Sequence, residues 1–391
     1  MRRLMRHVLF VAALLVLVAN AAQAATYSWQ QVGTAEFSAG PAYDISFAID
    51  SSGIAYVAYR DSAHYEKASV MRFNGTSWVQ VGPAGFSVGQ AWHPSLALDS
   101  SGIPYVAYAD GANGGYKGRV MRFNGTDWVP VGAAGFSTGA AQYPSLAFDS
   151  SGIPYVAYTD WDNGGKVSVM RFNGTSWEQV GAAGFSSGQT EGISLALDRS
   201  GIAYVAYYTT EDNHYNTSVM RFDGTNWVQV GNADFFSGGM AGYPSLALNS
   251  NGTPYVAYMD CGCINKASVI RFDGTDWVRV GAPGFSSDVA YYPSLALDSS
   301  GTPYVAYPDG GNGWKTSVMR FNGINWVQVG TAGFSAGEAA YISLALDSSG
   351  TPYVAYSAVA NDRKASVMKF AATPAGTGVN MTSVYQLLLR E

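Results

Sequence analysis

The chain has little of what catalysis and cross-linking usually draw on. Two of its 391 residues are cysteine and four are histidine. Cys261 and Cys263 stand one residue apart, so a bond between them would close a tiny loop and stabilise the fold little. Two thiols also fall short of a metal site, which needs more ligands. Basic residues are scarce, 22 against 28 acidic. Without Arg2, Arg3 and Arg6, 19 basic residues face 28 acidic ones. A balance of that sign repels phosphate backbones and anionic lipid, which excludes nucleic acid as a partner. Charged residues make up 13% and aromatic residues 14%, which is not a disordered composition. Helical periodicity is absent, and so is any long apolar run beyond the first residues.

The first residues read as a leader. Arg2, Arg3 and Arg6 make a basic start, Val8 to Val18 is apolar, and Ala22 to Ala24 offers small residues at a cleavage site. The run is too short for a stable membrane span. The expected organisation is a signal peptide over 1–24, a repeat domain over 25–370 and a flexible or docked tail over 371–391. The protein is expected to be secreted, whether extracellular, periplasmic or at the cell surface, as a monomer with no membrane span.

What the chain does have is a repeat. Tryptophans at Trp29, Trp78, Trp128, Trp177, Trp227, Trp277 and Trp326 open a Trp-x-x-Val-Gly motif at spacings of 49, 50, 49, 50, 50 and 49. A Tyr-Val-Ala-Tyr segment starting at Tyr56 and a Val-Met-Arg-Phe segment starting at Val70 recur in step, seven copies each with minor variation. A period near fifty without helical pattern predicts propeller blades. Between Tyr143 and Gly181, four short strands are separated by an Asp-Ser-Ser-Gly turn, a polar loop and an Asn-Gly hairpin turn. Four antiparallel strands make one blade. The expected fold is an all-β, seven-bladed propeller. The last unit lacks its Trp strand, and the chain begins with one, so the N-terminal strand should complete the last blade.

The blade resembles that of the kelch family in topology across all seven units. Tyr-Val-Ala-Tyr stands where kelch blades carry a double glycine, and the signature glycines are missing in every copy. The resemblance implies a propeller.

Variation gathers in the second-to-third loops and the links between blades, on one face, and recognition is expected there. Its rings suit the C–H faces of sugars and its acids suit their hydroxyls. Trp92, Trp161 and Trp314 break the repeat and are the first contact candidates, with Tyr65, Tyr116 and Tyr215. Tyr43, Tyr143, Tyr243, Tyr292 and Tyr341 are expected only to pack between blades. Asp61, Asp110, Asp160, Asp260 and Asp309 are each separated from Tyr-Val-Ala-Tyr by one residue. They could cap the loop or, together, ring the channel mouth and touch a ligand. His64 and His93 come from neighbouring blades and could meet beside Tyr65 and Glu66 as an acid–base or metal site. Asp50 and Arg72, with their equivalents, are expected to form an ion pair in each blade. Sequons at the hairpin slot become Asp-Gly-Thr at Asp223 and Asp273, so the slot selects turn chemistry.

The favoured expectation is a non-enzymatic recognition propeller that holds a glycan or an extracellular protein on the variable face, with no cofactor, no metal and no catalytic residue. The alternatives are an extracellular carbohydrate-active enzyme, glycosidase or lyase, or a structural surface protein.

Overall fold

A computed structural model describes residues 26–132, 135–209, 216–232 and 241–373. The leader, the tail beyond Thr373 and the candidate Tyr215 lie outside them, while Ala371 and Ala372, expected to begin the tail, belong to the last strand. The described residues form seven four-stranded antiparallel sheets and no α-helix: a seven-bladed β-propeller. Blade 3 is typical, with strands Ala141–Phe148, Pro154–Asp160, Lys166–Phe172 and Trp177–Gln179 running from the central channel outward. No helix of the described residues is long and apolar enough to cross a membrane.

The short turns follow from side chains that satisfy backbone donors. Asp149 Oδ1 accepts from the N–H groups of Ser151 and Ile153, both at 2.9 Å. In the hairpin, Asn173 Oδ1 accepts from Thr175 and Ser176. Asp223 and Asp273 bond the equivalent N–H groups, which is why Asn and Asp interchange there. The expected Asp–Arg ion pair does not form among the described residues, because the aspartate is spent on its turn, where Asp50 Oδ1 accepts from the Ser52 and Ile54 N–H groups.

The core is a set of layers between blades. One layer joins Phe47, Val57 and Tyr59 of blade 1 to Ala355 and Val367 of blade 7. Each fully buried valine of this kind contributes about 1.5–3 kcal/mol. The Trp-x-x-Val-Gly motif clasps adjacent blades. Trp78 donates its indole N–H to the Val32 carbonyl at 2.8 Å, and the same bond recurs from Trp29 to Val329 around the whole ring. The motif's glycine leaves room for this. At Gly33 (φ +65°) a Cβ would stand 2.8 Å from Phe73 and 3.1 Å from Trp78. Nearer the channel, Ser46 Oγ accepts the Leu96 N–H at 2.9 Å, and Ser95, Ser145, Ser194, Ser245 and Ser294 repeat that stitch. The serine ring is therefore structural.

Closure is as expected. Tyr27–Gln31 pairs antiparallel with Lys364–Ala372, with Trp29 opposite Phe370. The opening strand serves two clasps at once: Trp29 reaches back to blade 6 and Val32 receives Trp78 of blade 1.

Candidate active site

The inner strands of blades 1, 2, 3, 4, 5 and 7 break register just before their serine, as between Tyr43 and Ser46. The bulged residue is left-handed in every case: Asp44 (φ 50°), His93 (51°), Tyr143 (49°), Gly192 (58°), Tyr243 (54°) and Tyr341 (51°). Tyr292 (φ 47°) holds the same place in blade 6. A non-glycine residue there costs about 1–3 kcal/mol, and the cost recurs around the ring. A bulge re-aims its side chain out of the strand's alternation. These seven residues all line one crevice of about 820 Å³ at the channel mouth. The expectation that the tyrosines merely pack between blades is thereby corrected for Tyr143, Tyr243, Tyr292 and Tyr341. Tyr43 sits one position earlier.

Blades 1 and 2 bring charge. Arg60 donates from Nε to Asp44 Oδ2 at 2.9 Å and from a terminal nitrogen to Glu66 Oε2 at 2.6 Å. Its guanidinium lies 4.8 Å from the Tyr43 ring centre and 4.2 Å from that of Trp92. Charge-assisted bonds and two ring faces fix it in one pose. His93 stacks on Tyr143 with centroids 4.3 Å apart. Burial pushes the imidazole below its usual range; Asp44 opposes this and Arg60 adds to it. A neutral imidazole is thus held in contact with a phenol. Burial, then the charge of Glu191, push that Tyr143 phenol up, so it keeps its proton.

Blade 4 departs from the pattern by a coordinated change. Gly192 replaces the ring residue, and Tyr208 fills the space from the second strand. A Cβ on Gly192 would stand 2.6 Å from Tyr208 Cε1. Tyr208 is buried and donates its phenol proton to Glu191 Oε2 at 2.9 Å. Burial and Glu191 hold that phenol well above its usual value. Tyr208 packs edge-on against Tyr243, which lies 4.0 Å from Tyr292.

The structure scatters the residues singled out from sequence. Trp92, His93 and Trp314 line the crevice. His64 does not join His93: its Nδ1 bonds Asp61 Oδ2 at 2.8 Å out on the loop. Tyr65 is 85% exposed, and Trp161 and Tyr116 are also exposed, none of them lining the crevice. Asp61, Asp110, Asp160, Asp260 and Asp309 are buried and engaged locally. Asp160 shows how: Oδ1 accepts from the Asp162 N–H, and Oδ2 from Ser168 and Asn163. Asp110 pairs with Arg119 at 2.6 Å. Among the described residues no group of three His, Cys, Asp or Glu is placed to hold a metal ion. Cys261 and Cys263 are both free thiols. Asp44, Arg60, Glu191 and Tyr208 escaped the sequence reading. Their signal was a departure from the repeat inside strands rather than in loops.

No protein-family model matches the chain, and no curated protein matches it significantly. Solved structures do share its shape. An ulvan lyase bound to a chain of glucuronic acid (1-4)-linked to sulfated rhamnose superposes with TM-score 0.59 at 14% identity, over 88% of this chain and 96% of its own. The polysaccharide lyase Uly1 gives 0.53 at 11% identity, over 85% and 90%. A Dyadobacter fermentans protein of unknown function gives 0.51 at 11%, over 88% and 98%. At such identities the likeness is one of fold. The expectation of a non-enzymatic recognition propeller is nevertheless corrected. Propellers of this shape include polysaccharide-cleaving enzymes, which favours the alternative of a carbohydrate-active enzyme.

Proposed function

We propose that the protein is a secreted polysaccharide lyase that cleaves a uronate-containing glycan by β-elimination in the channel-mouth crevice. The observation that carries this reading is the pairing of a neutral His93 imidazole with a proton-bearing Tyr143 phenol, beside a fixed Arg60. Elimination needs those three functions together. A base removes the proton on the carbon next to the uronate carboxylate. The carbanion's charge spreads into that carboxylate, where a cation stabilises it. The bond from the adjacent ring carbon to the glycosidic oxygen then breaks, a carbon–carbon double bond forms, and an acid returns a proton to the leaving oxygen.

His93 is assigned as the base, since burial keeps it unprotonated near neutral pH. Tyr143 is assigned as the acid, and Arg60 as the partner of the substrate carboxylate. Asp44 and Glu66 hold Arg60 in place, and the rings of Tyr43 and Trp92 exclude water from it. Glu191 and Tyr208 are positioning residues that shape the far wall, and the charge of Glu191 helps keep Tyr143 protonated. The lyases of like fold, one of them bound to a glucuronate chain, support the substrate class. The leader expected at 1–24 from the sequence would carry the chain outside the cytoplasm.

The test is to incubate the full mature chain with a glucuronate–rhamnose polysaccharide. The expected result is new chain ends with the ultraviolet absorbance of an unsaturated uronate. Reducing ends without that absorbance would instead mean hydrolysis by the crevice carboxylates. No cleavage of any uronate polysaccharide would overturn the proposal.

A further inference from the structure

The elimination chemistry uses blades 1 to 4 and leaves the wall of blade 6 unassigned. That wall is built differently. Its inner strand pairs only over Ser294–Leu297, whereas the inner strand of blade 1 runs over Ala42–Ile49. The cause is Pro308. In the other blades the equivalent residue, such as Arg60, Ala109 or Met259, pairs across to the inner strand. Proline has no N–H to give, so the ladder of blade 6 begins only at Ser294 opposite Ala306. Tyr291, two residues past Val289, is left outside the ladder.

Trp314 comes to meet it. It is left-handed (φ 60°) at the position where blade 1 carries Glu66 (φ 62°). Its carbonyl accepts the Ala339 N–H at 2.9 Å, which ties the loop to blade 7 and fixes where the indole points. The two rings lie nearly parallel, 12° apart, with centroids 5.6 Å apart. Trp314 is 36% exposed, and both rings line the same crevice as His93. The stack covers one face of each ring and holds the indole in one pose, while Trp314 keeps exposed apolar surface at the crevice.

We propose that Tyr291 and Trp314 form a stacking platform for a pyranose ring of the bound glycan, a distal subsite that favours long chains over short ones. The proposal rests on the glycan reading above. It assigns blade 6 to binding and leaves bond cleavage to the opposite wall. A sugar presents one face of axial C–H groups, which suits such a platform, while its charged carboxylate is served by Arg60 across the crevice.

The test compares wild type with Trp314→Gly, Trp314→Asn and Tyr291→Ala. Gly and Asn tolerate the left-handed backbone at 314, so the loop keeps its path. Size-fractionated oligomers of the same glucuronate–rhamnose polysaccharide are titrated calorimetrically, and cleavage is followed in parallel. The expected result is a KM and Kd raised about tenfold on long oligomers, with kcat, melting temperature and cleavage of the shortest substrates unchanged. Variants that bind and cleave long oligomers as wild type does would overturn the platform and leave the lyase reading intact. Wild-type binding that the Trp314 variants lose, without unsaturated product, would uphold the platform and overturn the lyase. A wild-type chain that binds none of these oligomers would overturn both.

Discussion

Blades 1 to 4 and blades 5 to 7 place one residue each at the channel mouth in the same left-handed conformation, yet they do opposite things with it. The first group presents Asp44, His93, Tyr143 and Gly192, and adds Arg60 and Tyr208 from the neighbouring strands. The second presents Tyr243, Tyr292 and Tyr341, and adds the Tyr291–Trp314 stack. The backbone is common property and the chemistry is local. A symmetric scaffold supplies seven equivalent mounts. Function arises where the mounts stop being equivalent, because a channel lined by identical residues has no base that differs from its acid.

The largest expected effect removes the frame that both halves share. A chain starting at Thr34 loses the outer strand of blade 7 and the clasps of Trp29 and Val32. It also exposes the edge of Lys364–Ala372. Its thermal unfolding should occur at least about 10 °C below that of the intact chain, since several kcal/mol of packing go at once. An unchanged melting curve would show that the clasps do not close the ring. The next effect separates the halves. His93→Gln should lower kcat by about a hundredfold to ten-thousandfold with the melting temperature nearly kept. Tyr341→Phe, at an equivalent mount in the aromatic half, should change kcat less than about threefold. Equal losses from the two would erase the division between walls.

The sequence made the frame legible and hid the site, and both outcomes have a physical reason. Blade period, turn chemistry and the closing strand all depend on local residues that recur, such as Asp149 and Asn173 in their turns. The bulge before each serine leaves no residue signature of its own, since Asp, His, Tyr and Gly all occupy it. Recurrence in the repeat therefore makes Tyr143 and Tyr243 read as blade packing, when they in fact line the crevice. A one-residue slip of register is enough to reverse a side chain. Variable loops drew the search outward to Tyr65 and Trp161, while Arg60 and Tyr208 stood inside a strand that otherwise repeats. The signal was a column read down the repeats: Arg60, Ala109, Thr159, Tyr208, Met259, Pro308 and Ser357. Three of its members are the ones that set the walls apart.

Blade 4 allows a finer test of that column. In Gly192→Ala the new Cβ meets the Tyr208 ring at 2.6 Å, and the residue must still adopt φ 58°. The expected cost is about 1–3 kcal/mol, or roughly 2–10 °C in melting temperature. In a double-mutant cycle, Gly192→Ala should cost less in a Tyr208→Ala background than in the wild type, because the steric part is gone and only the backbone part remains. An equal cost in both backgrounds would mean that the two residues are not a coordinated pair.

The smallest effect is a pH dependence, and it too belongs to one wall only. His93 is half-buried among Asp44, Arg60, Tyr143 and Glu191, with its folded pKa below the usual 6.5. The unfolded chain then binds more protons than the folded one between those two values. Stability from this group is complete above the ordinary histidine range and falls away as pH drops through the window down to the folded value. Activity that needs a neutral base has the same acid limb, set by the group in the enzyme. His93→Gln should therefore flatten the acid side of the melting-temperature profile by an amount matching one histidine. His64→Gln, on an exposed loop beside Asp61, should leave that limb in place. If the limb survived His93→Gln unchanged, the crevice imidazole would not be the titrating group. The charged wall would then lose the base on which its difference from the aromatic wall depends.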